Sequence, residues 1–437
     1  MKHRIWLLIA LITMIFIGAQ PAAAQQRLIV RTTKLPLLQQ ACLLNSCKVI
    51  QNLDGTLNQL FLVTVPNGLP LQIIADILDL VPGVLDVEVD LVRQILPGEA
   101  ETNSVAPSLS QQNPMSYYGS SVWTGYAQQP ATSIIQLGNA RNQFQMTGSG
   151  IIADIDTGVD FSHPVLKGVL LPGYDFTRNQ LYGNEMADVA GLPAAEQCSQ
   201  CQPAQVNQST AAVLDQSTAA VLDSPNYAAF GHGTMAMGVL HLIAPTAQLM
   251  PLKAFSANGD AYTSNIIRGI YYAVQNHANV INMSFDFTSS SNEVATAIKY
   301  AGNNNVICVA SAGNDGKQET VYPAALPNVM GVASTTDQDT RSTFSNYGPH
   351  VWVAAPGEDI VTTYPYDTYA STSGTSFSAP MVSGTASLIL QMDSHANQLN
   401  AATAIGRGAK PLTPSLGNGL LDVFGALSYE QVLDVVR

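Results

Sequence analysis

The run Ile151-Ile152-Ala153-Asp154-Ile155-Asp156-Thr157-Gly158 (IIADIDTG) decides the fold. Ile151 to Ile155 is short, mostly apolar and β-branched, as a strand covered on both faces requires. Four more runs share this character: Leu249 to Ala254, Val280 to Met283, Val306 to Ala310 and Val329 to Ala333. Helical segments separate them, such as Ile266 to His277, with Ile266, Ile270, Tyr271 and Val274 on one face. The alternation predicts an α/β domain with a mostly parallel, doubly wound sheet. Active sites in such sheets lie beyond the carboxyl ends of the strands, where Asp156-Thr157-Gly158 falls.

Two other motifs belong at helix starts: Gly231-His232-Gly233-Thr234 and Gly374-Thr375-Ser376-Phe377-Ser378-Ala379-Pro380. Together the three supply an acid, an imidazole and an alcohol, in the chain order Asp156, His232, Ser376. A serine hydroxyl is a weak nucleophile until a histidine takes its proton, and a carboxylate on the other ring nitrogen fixes the tautomer. A helix beginning at Ser376 points free N–H groups towards the site. Ser311-Ala312-Gly313-Asn314 follows another strand, and the Asn314 amide is a candidate donor to a developing oxyanion. Asp154, two residues before Asp156, is read as a neighbouring structural acid. His163, His241, His277, His350 and His395 lack the glycine context and are read as surface or packing residues. Ser378 is read as a helix-turn serine.

These motifs, their order, and the segments Val280-Ile281-Asn282-Met283-Ser284 and Phe344-Ser345-Asn346-Tyr347-Gly348-Pro349 resemble the subtilisin-like (subtilase) serine peptidases. The resemblance covers about residues 115 to 428. It implies a secreted serine endopeptidase and zymogen, with protein or peptide substrates and a monomeric state. It implies that an extended substrate pairs with Ser284-Phe285-Asp286 on one side and Gly259-Asp260-Ala261 on the other, near Ala312 and Gly313. Phe285-Asp286 stands where the family usually has an apolar residue followed by glycines. Asp260, Asp286 and Asp315 would ring the cleft with carboxylates, which predicts tolerance or preference for basic substrate residues. No cofactor is required for the chemistry. Structural calcium is common in the family, but no D-x-D-x-D loop of the EF-hand type is present, so no metal ligand is assigned.

The N-terminus reads as a secretory signal peptide, residues 1–24. Lys2, His3 and Arg4 precede an apolar run from Ile5 to Ala19, and Ala22-Ala23-Ala24 supplies small cleavage-site residues. The run is short for a spanning helix, so no stable membrane anchor is expected. Residues 25–96 read as a small α+β unit in the β-α-β-β-α-β order of a ferredoxin-like fold. Strands are expected at Arg27 to Thr32, Val49-Ile50, Leu60 to Val65 and Val84 to Ile95, with helices at Leu35 to Leu44 and Leu71 to Val81. The family resemblance makes this unit an inhibitory, fold-assisting propeptide, the chain's own partner. Residues 97–118 read as a linker with the processing site, and 119–437 as the peptidase domain. Within it, 183–226 reads as a surface insertion holding the tandem repeat QSTAAVLD and the pair Cys198, Cys201. A short loop disulfide is the simplest reading of that pair, and Cys308 is read as a buried apolar residue.

Composition excludes several classes. Of 437 residues, 46% are hydrophobic and 11% charged, too apolar for a disordered chain. The net charge of -13 argues against nucleic-acid binding. An α/β-hydrolase would need G-x-S-x-G and the opposite order of catalytic groups. The remaining alternative is a non-catalytic binding protein that kept the peptidase scaffold.

Overall fold

The structure, a computed structural model, describes residues 26–95, 106–191, 204–206, 225–412 and 416–436. The leader, the first part of the expected linker and processing segment 97–118 (residues 97–105), Cys198, Cys201 and the QSTAAVLD repeat lie outside the described residues.

The N-terminal unit contains β1 (Gln26–Thr32), α1 (Leu35–Leu44), β2 (Lys48–Asn52), β3 (Leu60–Val65), α2 (Leu71–Asp79) and β4 (Val84–Val89). Its four strands pair antiparallel in the order β2-β3-β1-β4. Leu28, Val30, Phe61 and Val63 on the sheet meet Leu38, Ile74 and Leu78 of the helices in one small core.

The expected single strand from Val84 to Ile95 is broken. It leaves the first sheet after Val89 and resumes as β5 (Val92–Gln94), which belongs to a different pairing. The cause lies at Asp90, whose carboxylate is buried against Arg27 and accepts from the backbone and hydroxyl of Ser264. Its own N–H still donates to Arg27 C=O at 3.0 Å, so Asp90 is both the last rung of the ladder and a contact with the start of the helix Thr263–Gln275.

The next segment is more ordered than the linker reading of 97–118. From Ala106 the chain packs. The hairpin β6 (Pro114–Tyr117) and β7 (Ser120–Trp123) is followed by short helices α3 (Thr124–Ala127), α4 (Pro130–Ile134) and α5 (Leu137–Phe144). Tyr117 and Tyr126 are buried and donate to the carbonyls of Leu242 and Gly238. Tertiary bonds rather than periodicity order this stretch.

The main domain continues through β8 (Ile151–Asp156), β9 (Tyr174–Asp175), β10 (Gln180–Leu181), β11 (Ala204–Val206), α6 (His232–Ile243), β12 (Gln248–Lys253), β13 (Asp260–Tyr262), α7 (Thr263–Gln275) and β14 (Val280–Met283). Then come α8 (Asn292–Asn303), β15 (Ile307–Ser311), β16 (Met330–Thr335), β17 (Val353–Pro356), β18 (Ile360–Tyr364), β19 (Thr368–Thr372), α9 (Thr375–Met392), α10 (Gln398–Gly408) and α11 (Val423–Val436). Eight strands form one sheet in the order β10-β9-β12-β8-β14-β15-β16-β17, parallel except for the β9–β10 pair. Two apolar clusters cover its faces, one built on α6 and α9 and the other on α7 and α8. Strand β8 lies between β12 and β14, so the chain winds away from it in both directions. Its carboxyl end is therefore a natural crevice.

Candidate active site

Asp156 is the last residue of β8 and His232 the first of α6. His232 Nδ1 lies 2.7 and 2.8 Å from the two carboxylate oxygens of Asp156. Both side chains are buried. Two backbone segments approach closely to permit this: a Cβ on Gly233 would stand 2.0 Å from the carbonyl oxygen of Gly158. Glycine is thus required at 233 by space alone.

Ser376 is the second residue of α9, and the ring of the adjacent Phe377 lies 5.6 Å from that of His232. Ser376 Oγ donates to the carbonyl of Ser284 at 3.1 Å. Among the described residues the buried His232 Nε2 has no hydrogen-bond partner. The structure thus joins Asp156 to His232 and leaves Ser376 Oγ turned towards Ser284. Pro380 explains why Ser284 is there. A proline inside α9 has no N–H for the carbonyl four residues back, which is that of Ser376. The Ser284 hydroxyl takes that place, donating to Ser376 C=O at 2.8 Å. Ser284 in turn accepts from Asn282 Nδ2, which also donates to Asp154.

Asn314 follows β15. Its Oδ1 accepts from both the backbone N–H and the hydroxyl of Thr375, each at 2.9 Å. The amide orientation is thereby fixed, and Nδ2 remains as the donor beside the start of α9.

Residues 148–426 match the subtilase-family peptidase model. The chain belongs to the subtilase family. Thermitase of Thermoactinomyces vulgaris is 34% identical over 256 residues, 58% of this chain and 80% of that protein. A thermophilic serine proteinase of Bacillus sp. (strain AK1) is 35% identical over 242 residues, 54% of this chain. The match spans about half of that relative's length, 51%. Among solved structures, fervidolysin from Fervidobacterium pennivorans, a keratinolytic enzyme related to subtilisin, superposes with a TM-score of 0.69. It shares 20% identity and covers 92% of this chain and 61% of its own, a likeness of fold.

The other expected residues of this subtilase separate into groups. Gly259, Asp260 and Ala261 form an edge already paired with β5: Asp260 opposes Gln94, Ala261 opposes Arg93, and Ile95 N–H donates to Gly259 C=O at 2.8 Å. The Phe285 side chain is buried against Phe255, 5.0 Å between rings, so it builds core, and the expected pairing with a substrate would use its backbone alone. Asp286 lies near Gly313, and burial together with Asp315 and Glu319 pushes its carboxyl up to about 7. Asp315 itself is exposed. The carbonyls of Ala312 and Gly313 are taken up internally by His350 and Asn346. Asp154 is buried, and desolvation, with Asp156 next to it, holds its carboxyl well above the usual range. His163 and His241 are buried and bonded to Thr368 C=O and Tyr126 OH, which makes them packing residues. Ser378 donates to the carbonyls of Ala355 and Pro356. Among the described residues no group of three or more His, Cys, Asp or Glu side chains is arranged to hold a metal.

Sequence reasoning missed Glu185, which lay inside the presumed surface insertion. It is fully buried. Its Oε2 accepts from Thr157 Oγ1 at 3.1 Å and from Gly231 N–H at 2.9 Å, and its Oε1 bonds Thr234 Oγ1. Thr157 Oγ1 also accepts from Gly233 N–H. One carboxyl therefore clasps the residue after Asp156 to those on both sides of His232. Burial pushes Glu185 up to about 8, against the pull of Thr234, Lys253 and Gly231. A lone acid in a glycine-containing segment carries no periodic signal that would reveal this.

Proposed function

We propose that this subtilase is an exported serine endopeptidase held inactive by its own residues 26–95. The reading is supported by the Asp156–His232 pair, by Phe377, next to Ser376, lying against His232, by the bonds of Asn314 to Thr375, and by the pairing of β5 with β13. Rotation about the Ser376 Cα–Cβ bond takes Oγ from the Ser284 carbonyl towards the unpartnered Nε2 of His232. His232 then removes the hydroxyl proton as Oγ attacks the peptide carbonyl, and later gives it to the leaving amine. Asp156 holds the Nδ1–H tautomer and stabilises the imidazolium. Asn314 Nδ2 and the Ser376 backbone N–H receive the oxyanion, and water clears the acyl-enzyme.

Inhibition by the N-terminal unit is supported by the antiparallel pairing of Val92 to Gln94 with Asp260 to Tyr262. An extended substrate adding a strand would use the same backbone groups. The unit also binds the helices behind the cleft. Glu88 accepts from Ser291 Oγ at 2.6 Å and from the N–H groups of Asn292 and Glu293 at the start of α8. Arg31 forms a buried ion pair with Glu293. Export is supported by the three-part leader, and no helix among the described residues is long and apolar enough to cross a membrane.

N-terminal sequencing of the purified product tests the proposal. The expected result is a new N-terminus between about residues 97 and 118, absent when Ser376→Ala is expressed. A wild-type chain that folds, keeps residues 26–95 and hydrolyses no peptide would instead favour the binding-protein alternative.

A further inference from the structure

Helix α1 ends in a turn that brings two cysteines together. Ser46 lies in the left-handed region at φ +58°, one residue beyond the cap Asn45. Cys47 N–H reaches back over it to the carbonyl of Cys42 at 2.9 Å. This six-to-one closure is the Schellman arrangement, in which the side chains of the residues at its two ends meet. Here those residues are Cys42 and Cys47. Both are buried, 2% and 7% exposed, within the core of the N-terminal unit. The interaction between the two thiols raises Cys42 and lowers Cys47. In the structure both are free thiols.

We propose that Cys42 and Cys47 are a disulfide site, closing a ring that ties the end of α1 to the start of β2. A low-molecular-weight disulfide such as oxidised glutathione serves as oxidant. The Cys47 thiolate attacks one glutathione sulfur and expels the first glutathione as thiolate. The Cys42 thiolate then attacks Cys47 Sγ in the mixed disulfide and expels the second. Two thiols are oxidised, one disulfide is reduced, and the two released protons end on the two glutathiones. Leu43 and Leu44, between the two cysteines, are 81% and 77% exposed, so the buried thiols meet such a reagent when this surface turn opens locally. Cys308 is no competitor: it is fully buried in the separate core beneath the main sheet. The bond forms independently of the hydrolytic chemistry. It restrains the unit whose last strand fills the cleft, in the compartment where disulfides persist.

The test uses the full chain carrying Ser376→Ala, so that residues 26–95 stay attached. The folded protein is equilibrated in oxidised and reduced glutathione, alkylated, and digested with trypsin without reduction. Cleavage after Lys34 and Lys48 releases one peptide containing both cysteines. The expected peptide is unalkylated and lighter by two hydrogens. A peptide carrying two alkyl groups, a glutathione adduct, or a cross-link to Cys198 or Cys201 overturns the proposal. As a second readout, thermolysin nicking at Leu43 and Leu44 is expected to be at least about tenfold slower in the oxidised form, since short-loop closure restrains opening. Equal rates in the two forms also overturn it. Cys42→Ser and Cys47→Ser should each leave the partner thiol alkylatable and nicking insensitive to redox state.

Discussion

Replacing Glu185 should separate its role as a clasp from its cost as a buried acid. Glu185→Ala strands three donors, from Thr157, Gly231 and Thr234, in a fully buried place. Each stranded donor costs about 1–3 kcal/mol, and partial relaxation makes a net loss of about 3–5 kcal/mol reasonable. Glu185→Gln keeps an acceptor for Gly231 and Thr157 and offers an N–H to Thr234, so its own cost should be about 1 kcal/mol. The two variants also differ in pH response. The folded-state pKa of Glu185 is raised to about 8 by burial, whereas an unfolded glutamate titrates near 4.3. Between those values the folded chain holds a proton that the unfolded chain has lost, so stability falls as pH rises. The slope reaches about 1.4 kcal/mol per pH unit for one group. Urea unfolding of the Ser376→Ala chain, with and without Glu185→Gln, at several pH values from 5 to 8 measures this. The parent should lose at least about 2 kcal/mol relative to the Gln variant over that range. Parallel curves would refute the assignment of a buried, largely protonated clasp.

Further outcomes follow from the same geometry. Asn314→Ala should lower kcat about 10²–10³-fold with little change in KM, because Nδ2 acts on the tetrahedral oxygen; initial-rate kinetics on a peptide substrate checks this. Arg31→Ala leaves Glu293 buried without its cation, costs about 3–5 kcal/mol of the contact between the N-terminal unit and the peptidase, and should hasten activation in a time course of full-chain processing. The raised Asp286 carboxyl, at about 7, becomes charged as pH rises, so any preference for Lys over Ala or Glu in matched peptides should grow between pH 6 and 8. A change on the order of fivefold corresponds to about 1 kcal/mol, and Asp286→Asn should abolish it.

The strands around the site were legible because each is a short, doubly covered apolar run; β14 falls on Val280 to Met283 as expected. The helices expected at Leu35 to Leu44 and Leu71 to Val81 fall on α1 and α2. Elsewhere long-range partners decide the outcome. Asp90 reads locally as one polar position in a strand, yet its bonds to Arg27 and Ser264 mark where the chain leaves β4, and β5 then pairs with β13. Around Tyr117 and Tyr126 no periodic pattern signals order; their hydroxyls find carbonyls more than a hundred positions away. The motif neighbours of Phe285 gave no sign that its side chain joins the core against Phe255. Motif spacing named Asp156, His232, Ser376 and Asn314. It could not report that Ser376 Oγ rests on Ser284, because Pro380 creates that vacancy from the next turn of the helix.

The most direct measurement is stoichiometric labelling of the processed protein with a fluorophosphonate, followed by mapping of the modified peptide. The account predicts one label per chain on Ser376, lost in Ser376→Ala and strongly slowed in His232→Ala. A folded, processed protein that takes no label, or takes it at another serine, would contradict it.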